Sequence, residues 1–411
     1  MKKRGILINL VFAMVLLLAA CSGSEGGTSS SGPASGEGDT IKIGSLHPLS
    51  GGLALEGQEM RDAVKLAIED KNAAGGISSI DGAKLELIEA DHEGTPEKGV
   101  SEVQKLDREG VVGIVGAYSS GVALPATQEA ERARLPFVVD IGSADEITER
   151  GFKYTFRLQP AASSFSVDFL EFFQDLNENA EEKLSSAVIV HEDSVFGTSI
   201  AEAIVENADG YGLDVLEVLP HASSTADLSS TINKISSLKP DTVIVTTYLR
   251  DGVMLVEGIE NSNFAPKAII GVANGAFSNA SFFKDYQSIN NLVMDVNYTI
   301  NPHSELANDV KERYKEAYGR ELGPNGAYSY MATTVLIDAI ERAGTTDRAA
   351  IQKALTETNL EEHILPQDAI KFDEKGQNIN AKAVLNQIFD GAPKVVGPEE
   401  YKETEAVYPR N

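Results

Sequence analysis

Three short segments carry side chains able to grip an anion. Gly116-Ala-Tyr-Ser-Ser-Gly121, Ile141-Gly-Ser-Ala-Asp-Glu146 and Glu192-Asp-Ser-Val-Phe-Gly197 each set small hydroxyl residues between a short apolar run and a helical pattern. A hydroxyl beside the free backbone N–H groups of a helix start suits a carboxylate, because that end of a helix is partially positive. Serine is also a preferred helix cap, and Ser143-Ala-Asp-Glu146 fits a capping box, so each serine taken alone reads first as a cap. Convergence favours a ligand: in open α/β sheets, ligands sit beyond the carboxyl ends of strands, where these segments fall.

Other chemistry is missing from the pattern. The chain has no Gly-x-Ser-x-Gly elbow, no phosphate-cradling Gly-x4-Gly-Lys, no His-Glu-x-x-His and a single cysteine, Cys21. His47, His92, His191, His221, His303 and His363 are scattered without metal-ligand spacing. No cofactor, no metal and no enzymatic activity are expected. A Ser-His-Asp site assembled from distant positions stays open, because such triads follow no fixed order.

The elements that must position these segments alternate. Short Val/Ile runs predict strands over 41–45, 84–91, 111–115, 136–140, 186–191, 213–219, 242–247, 268–271 and 292–296. Helical patterns over 55–72, 97–108, 122–134, 165–177, 195–209, 226–238 and 252–261 separate them. Buried strands between helices mean parallel sheets covered on both faces. Two such series predict two doubly wound α/β domains. Helices over 305–318, 327–343 and 350–356 and short strands near 370–372 and 383–389 close the chain.

The amino terminus says where this body works. Lys2, Lys3 and Arg4 precede an apolar run over 6–20, about 15 residues and below the roughly 20 of a spanning helix, as in a secretory signal. Leu18-Ala-Ala-Cys21 resembles the bacterial lipobox, which implies cleavage before Cys21 and lipidation of it. Residues 22–40 are nearly all Ser, Gly, Thr, Ala and Glu, a flexible linker with a mean span of roughly 25 Å. With the only cysteine lipidated no disulfide forms, so the fold rests on its core. The net charge of −27 becomes about −30 once Lys2, Lys3 and Arg4 are removed, which excludes nucleic acid and anionic headgroups as partners.

From Ile41 onward the chain resembles the bacterial extracytoplasmic solute-binding proteins of the leucine/isoleucine/valine-binding type, which serve ABC importers. The resemblance is carried by Ile41-Lys-Ile-Gly-Ser with Pro48-Leu-Ser-Gly-Gly52, by Asn72-Ala-Ala-Gly-Gly-Ile77 and by Gly116-Ala-Tyr-Ser-Ser120. Further on stand Leu135-Pro-Phe-Val-Val139 with Ser143, and His191-Glu-Asp-Ser-Val-Phe-Gly197. It implies a type I periplasmic-binding-protein fold of two lobes joined by three hinge crossovers. Lobe 1 would comprise 41–158 and 300–360, and lobe 2 159–299 and 361–411, after a signal over 1–20 and the lipidated linker over 21–40. The expected partners are a small-molecule ligand, ABC permease and ATPase subunits, and the membrane through the lipid alone.

The resemblance further implies that Ser120 and Ser143 hold the ligand's carboxylate, with Ser119, Gly142 and the backbone at Ile141 contributing. Tyr118, Phe196, Tyr248 and Tyr328 would line the cleft. Asn274 falls where amino-acid binders carry an acid for the ligand's amine, and it has no charge; Glu56 could supply that carboxylate, or be a solvated helix-start residue. The expected ligand is therefore an amino acid or related small carboxylate. Aromatic or aliphatic carboxylates and urea-like amides stay open, as does a ligand-sensing subunit of the same fold.

Overall fold

A computed structural model describes residues 40–277 and 291–409. The expected signal peptide, Cys21 and all but the last residue of the linker lie outside the described residues. Among the described residues, no helix is long and apolar enough to cross a membrane.

The chain begins with strands β1 (Ile41–His47), β2 (Leu85–Asp91), β3 (Gly113–Gly116), β4 (Phe137–Val139) and β5 (Thr155–Arg157). They form a parallel sheet in the order β2-β1-β3-β4-β5. β3 and β4 are buried along their whole length, as strands covered on both faces must be. Edge strand β2 is buried only at Leu85 and Ala90, with Glu86 and Glu89 exposed. Strands β6 (Ser186–Glu192), β7 (Asp214–His221), β8 (Thr242–Thr246), β9 (Ala268–Val272) and β10 (Val293–Asn297) follow, with β11 (Val384–Phe389) and β12 (Ala392–Gly397) at the end. Their order is β12-β11-β10-β9-β8-β6-β7.

These two sheets make a two-lobed, doubly wound α/β fold, with three differences from the sequence reading. β11 and β12 are antiparallel, so the second sheet is mixed. β12 escaped notice because Gly391 and Pro393 punctuate it like a turn, and β5 because three residues are too few to show alternation. Residues 370–372 form no strand; they make only isolated bridges, Leu360 to Ile370 and Phe372 to Asn378.

The chain passes between the sheets three times. After β5, helix Ala162–Asn179 packs on β9, β10 and β11 of the second sheet. After β10 the chain returns through helices Glu305–Tyr318 and Pro324–Ala343. The latter lies on helix Ala54–Ala73 and against β3, where Gly113 leaves room for Leu336; a Cβ at Gly113 would stand 2.8 Å from the leucine. The third passage runs from helix Arg348–Thr356 to β11 and touches β5 on its way. Arg157 N–H donates to Gly376 O (2.7 Å) and Asn378 N–H to Arg157 O (3.0 Å). Gly376 has φ +81°, and a Cβ there would stand 2.1 Å from Thr155 O, so the close approach requires glycine.

Candidate functional site

Strands of both sheets end at the space between them. Gly116–Ser119 leaves β3 and enters helix Ser120–Ala133, whose N-cap is Ser119. The N–H groups of Ser120 and Gly121 bond no protein acceptor among the described residues, as expected of a first turn. The Ser120 Oγ accepts from Ser143 N–H (3.0 Å) and Ala144 N–H (3.2 Å), which leaves its own O–H to point elsewhere. Ser143 Oγ is buried with no partner. The expected capping box is absent: Asp145 is the N-cap of helix Glu146–Glu149, and no side-chain cap bond forms there. Ser194, in contrast, is a cap, accepting from Phe196 N–H (3.3 Å) and donating to Glu192 (2.6 Å). Two of the three serine junctions thus present hydroxyls to the space between the sheets, and the third spends its hydroxyl on its own helix.

Aromatic rings close over this point. Tyr248 lies 5.7 Å from Tyr118 and 5.2 Å from Phe196, centroid to centroid, and its hydroxyl donates to Ser119 Oγ (3.3 Å). Met60, Val115, these rings, Ile200 and Ile244 belong to one apolar core, which the two sheets share. Beneath the rings is a cavity of about 20 Å³, roughly room for one water. Tyr118, Ser120, Ile141, Ser143, Phe196 and Tyr248 line it, all named from the sequence. Gln159, Ala273, Gly275 and Tyr298 line it as well and were not named. Gln159 Oε1 is buried without a partner.

The remaining named residues stand outside that lining. Gly142 donates to Ala117 O (3.3 Å) and packs on Ala123 and Ile147. Ile141 belongs to the lining, but its N–H is taken by Asp140 (2.8 Å). Tyr328 is fully buried behind Tyr298, 5.0 Å away. Asn274 is fully buried and spends its amide on the turn it begins: Nδ2 donates to Val245 O (3.1 Å) and Oδ1 accepts from Ala276 N–H (2.7 Å). It has nothing left for an amine. Glu56 is not the solvated residue of the alternative reading. It is 2% exposed in the first turn of helix Ala54–Ala73, and burial raises its pKa. Burial raises the phenol pKa values of Tyr118 and Tyr248, and the Glu56 charge adds to both.

One buried chain has the composition of a catalytic triad. Ser45 Oγ lies 2.8 Å from His47 Nδ1, His47 Nε2 lies 2.8 Å from Asp140, and Ser329 donates to the same carboxylate (2.6 Å). All four residues are at most 1% exposed, so no substrate reaches the hydroxyl. The network holds Asp140, and Asp140 holds the Ile141 N–H at the head of the serine loop. Among the described residues no group of three or more His, Cys, Asp or Glu could hold a metal ion.

Comparison with known proteins agrees with this architecture. The family model described as periplasmic binding protein matches residues 40–392. The Leu/Ile/Val-binding protein homolog 7 of Brucella abortus is 30% identical over 369 residues, 87% of this chain and 92% of that protein. Among solved structures, the branched-chain amino acid transporter substrate-binding protein LivJ of Streptococcus pneumoniae, in complex with isoleucine, aligns with a TM-score of 0.75. It is 21% identical, over 87% of this chain and all of that one. A solute-binding protein of Rhodopseudomonas palustris in complex with 3,4-dihydroxybenzoic acid aligns at 0.71 with 19% identity, over 86% and 95%. Members of this family bind substrates for ABC transporters and are not enzymes, and the family implies an extracytoplasmic location. The chain belongs to the periplasmic binding protein family, with the Leu/Ile/Val-binding protein homologues among its relatives.

Proposed function

We propose that this protein is the lipid-anchored substrate-binding component of an ABC importer, which captures an amino acid or related small carboxylate between its lobes and delivers it to a permease. The observation that carries this reading is the polar end of the cavity. There the unpartnered Ser143 hydroxyl, the free O–H of Ser120 and the unpaired first-turn N–H groups converge under three aromatic rings. Such a site offers several hydroxyl and N–H donors, which suits a carboxylate, beside one unpartnered acceptor, Gln159 Oε1. A cavity the size of one water cannot hold an amino acid, so entry requires the Tyr118–Tyr248 contact to part by hinge motion at the three crossings, near 158, 299 and 360. Cys21 would be the lipid-bearing residue, and Ser119, Gly142, Asn274 and Tyr328 would act by supporting the lining.

The test is a thermal-shift screen of the detergent-extracted chain against L-leucine, L-isoleucine, L-valine, 3,4-dihydroxybenzoate and simple amides. A ligand at a hundred times its Kd should stabilise by about 2.7 kcal/mol. No shift with any of them refutes the ligand class.

An amino acid needs an acid for its ammonium; with Asn274 committed to its turn, we assign that role to Glu56, whose charge is felt at Tyr118. Glu56→Gln is expected to weaken L-leucine binding at least tenfold while leaving the amine-free analogue 4-methylpentanoate within twofold. Equal behaviour of the two ligands removes Glu56 from this role. Asn274 also favours a second reading, a carboxylate without an amine; amine-free ligands alone giving shifts would establish it.

The anchor is tested separately. Cys21→Ser should release a soluble or uncleaved chain with unchanged affinity, and membrane retention equal to wild type would refute lipidation at this residue.

A further inference from the structure

Directly behind the serine loop lies a charge without a counter-charge. Arg157, on β5, is 1% exposed, and no carboxylate oxygen among the described residues reaches ion-pair distance of its guanidinium. Asp145, Glu146, Glu149 and Asp373 act on it only from a distance. It is held instead by neutral oxygens: Nη1 donates to Ser143 O (2.7 Å) and Ala144 O (2.5 Å), Nη2 to Thr148 Oγ1 (3.3 Å) and Nε to Gln377 Oε1 (2.6 Å). Gln377 in turn donates to Gln159 O (2.9 Å), so the third crossing aims the fork. Burying an unpaired charge costs several kcal/mol, which a fold without a use for the charge avoids by neutral substitution.

The use follows from which peptide the guanidinium grips. Ser143 C=O and Ala144 N–H belong to one peptide unit. Arg157 pulls on its oxygen, and its N–H faces Ser120 Oγ at 3.2 Å. Hydrogen bonds in a chain polarise one another, most where water is excluded. Pull on the carbonyl makes the Ala144 N–H a stronger donor, and a stronger donor on Ser120 Oγ makes the serine O–H more acidic. That O–H is the one left to face the cavity.

We propose that Arg157 is a positioning residue that makes the pocket select an anion, its charge being relayed through the Ser143–Ala144 peptide to the Ser120 hydroxyl that donates to the ligand's carboxylate. The inference rests on the reading of this cavity as a carboxylate site. It assigns the selectivity to a residue that never touches the ligand. Burial lowers the guanidinium pKa to about 10, so the charge is present throughout the neutral range.

The experiment is calorimetric titration of the detergent-extracted full chain with two matched pairs: L-leucine with L-leucinamide, and 3,4-dihydroxybenzoate with its amide. Wild type should take at least one acid tenfold or more tighter than its amide. Arg157→Gln should weaken the acid roughly tenfold to a hundredfold, the scale of a charge-assisted hydrogen bond, and leave the amide within twofold. Arg157→Lys, which keeps the charge but not the fork, should recover most of the acid preference. If Arg157→Gln does not fold, Arg157→Lys decides alone through a severalfold loss confined to the acid. Equal losses for acid and amide, or no loss, overturn the relay and leave the binding function standing. A wild type that takes amides as tightly as acids also overturns it. A wild type that binds none of the four overturns the functional reading and this inference together.

Discussion

Ser143→Ala and Ser120→Ala are expected to separate ligand binding from folding. Ser143 Oγ has no protein partner, so its removal costs the empty protein nothing and deletes one donor to the ligand. A hydrogen bond to a charged acceptor contributes about 1.5–3 kcal/mol, so Ser143→Ala should weaken binding roughly tenfold to a hundredfold at unchanged stability. Ser120→Ala loses a comparable donor and also strands the N–H groups of Ser143 and Ala144, which both end on its oxygen. Each buried donor left unpaired costs about 1–3 kcal/mol, so this variant should bind worse and unfold earlier in urea. Calorimetry with the tightest ligand of the screen and urea titration of the empty protein measure the two effects. Wild-type affinity in Ser143→Ala, or wild-type stability in Ser120→Ala, contradicts the geometry on which the site is built.

These two serines were legible in the sequence because they occupy a place that topology defines. Parallel strands and their helices can be read from apolar runs, and the loop at each strand's carboxyl end then faces the cleft whatever its detailed shape. Tyr118, Phe196 and Tyr248 were reached differently, through the family resemblance, which implies aromatics at those positions. Topology could not tell a hydroxyl free for a ligand from one spent at home: Ser194 and Ser143 look alike in sequence, and only the bond from Phe196 N–H separates them. Asn274 failed for the same reason, its amide being consumed by the turn two residues on. Gln159 was out of reach, since it reads as a loop residue before Pro160 and is placed by a partner 218 residues away. Arg157 was equally hidden. Its three-residue strand shows no periodicity, and its significance lies in the acids that do not approach it.

Glu56 and Arg157 place opposite demands on one ligand. In the proposed site, the buried Glu56 carboxylate would pair with a positive group, and the Ser120 hydroxyl with a negative one. A zwitterion satisfies both, whereas a simple carboxylate leaves Glu56 buried with no positive group of the ligand to meet it. Such a ligand would require Glu56 to hold a proton, in keeping with its raised pKa. The two substitutions are therefore complementary tests of one ligand's two ends.

Asp295 should make the empty protein lose stability as pH rises from about 4 to about 8. This carboxyl, at 1% exposure on β10, receives Asn297 Nδ2 on one oxygen (2.9 Å) and has no side-chain partner on the other. Burial raises its pKa to about 8, against hydrogen bonds from Asn297 and the Asn274 backbone that favour the ion. The folded state thus keeps a proton that the unfolded chain releases near the ordinary carboxyl value of 3.8. The group's stability contribution is whole below that value, falls through the window and levels off above the folded pKa, for a total on the order of several kcal/mol. The neighbourhood is built for a neutral group: Gly271 is the strand partner of Asp295, and a Cβ there would stand 2.3 Å from its unpartnered oxygen. Other acids slope the opposite way, among them Glu341: desolvation raises its pKa, but hydrogen bonds from Lys71, Ser78 and Ser79 together outweigh it and lower the pKa to about 2. Asp295 is therefore read from a difference. Urea unfolding of wild type and Asp295→Asn across pH 4–9 should show the variant gaining on wild type as pH rises, with the gap constant above about 8. A gap that does not change with pH would mean that Asp295 is already ionised in the fold. Asn297 also donates to Asn274 O (3.0 Å), so the same proton sits two hydrogen bonds from the Gly275 edge of the cavity. Ligand affinity measured over the same range should weaken above pH 8 in wild type more than in Asp295→Asn.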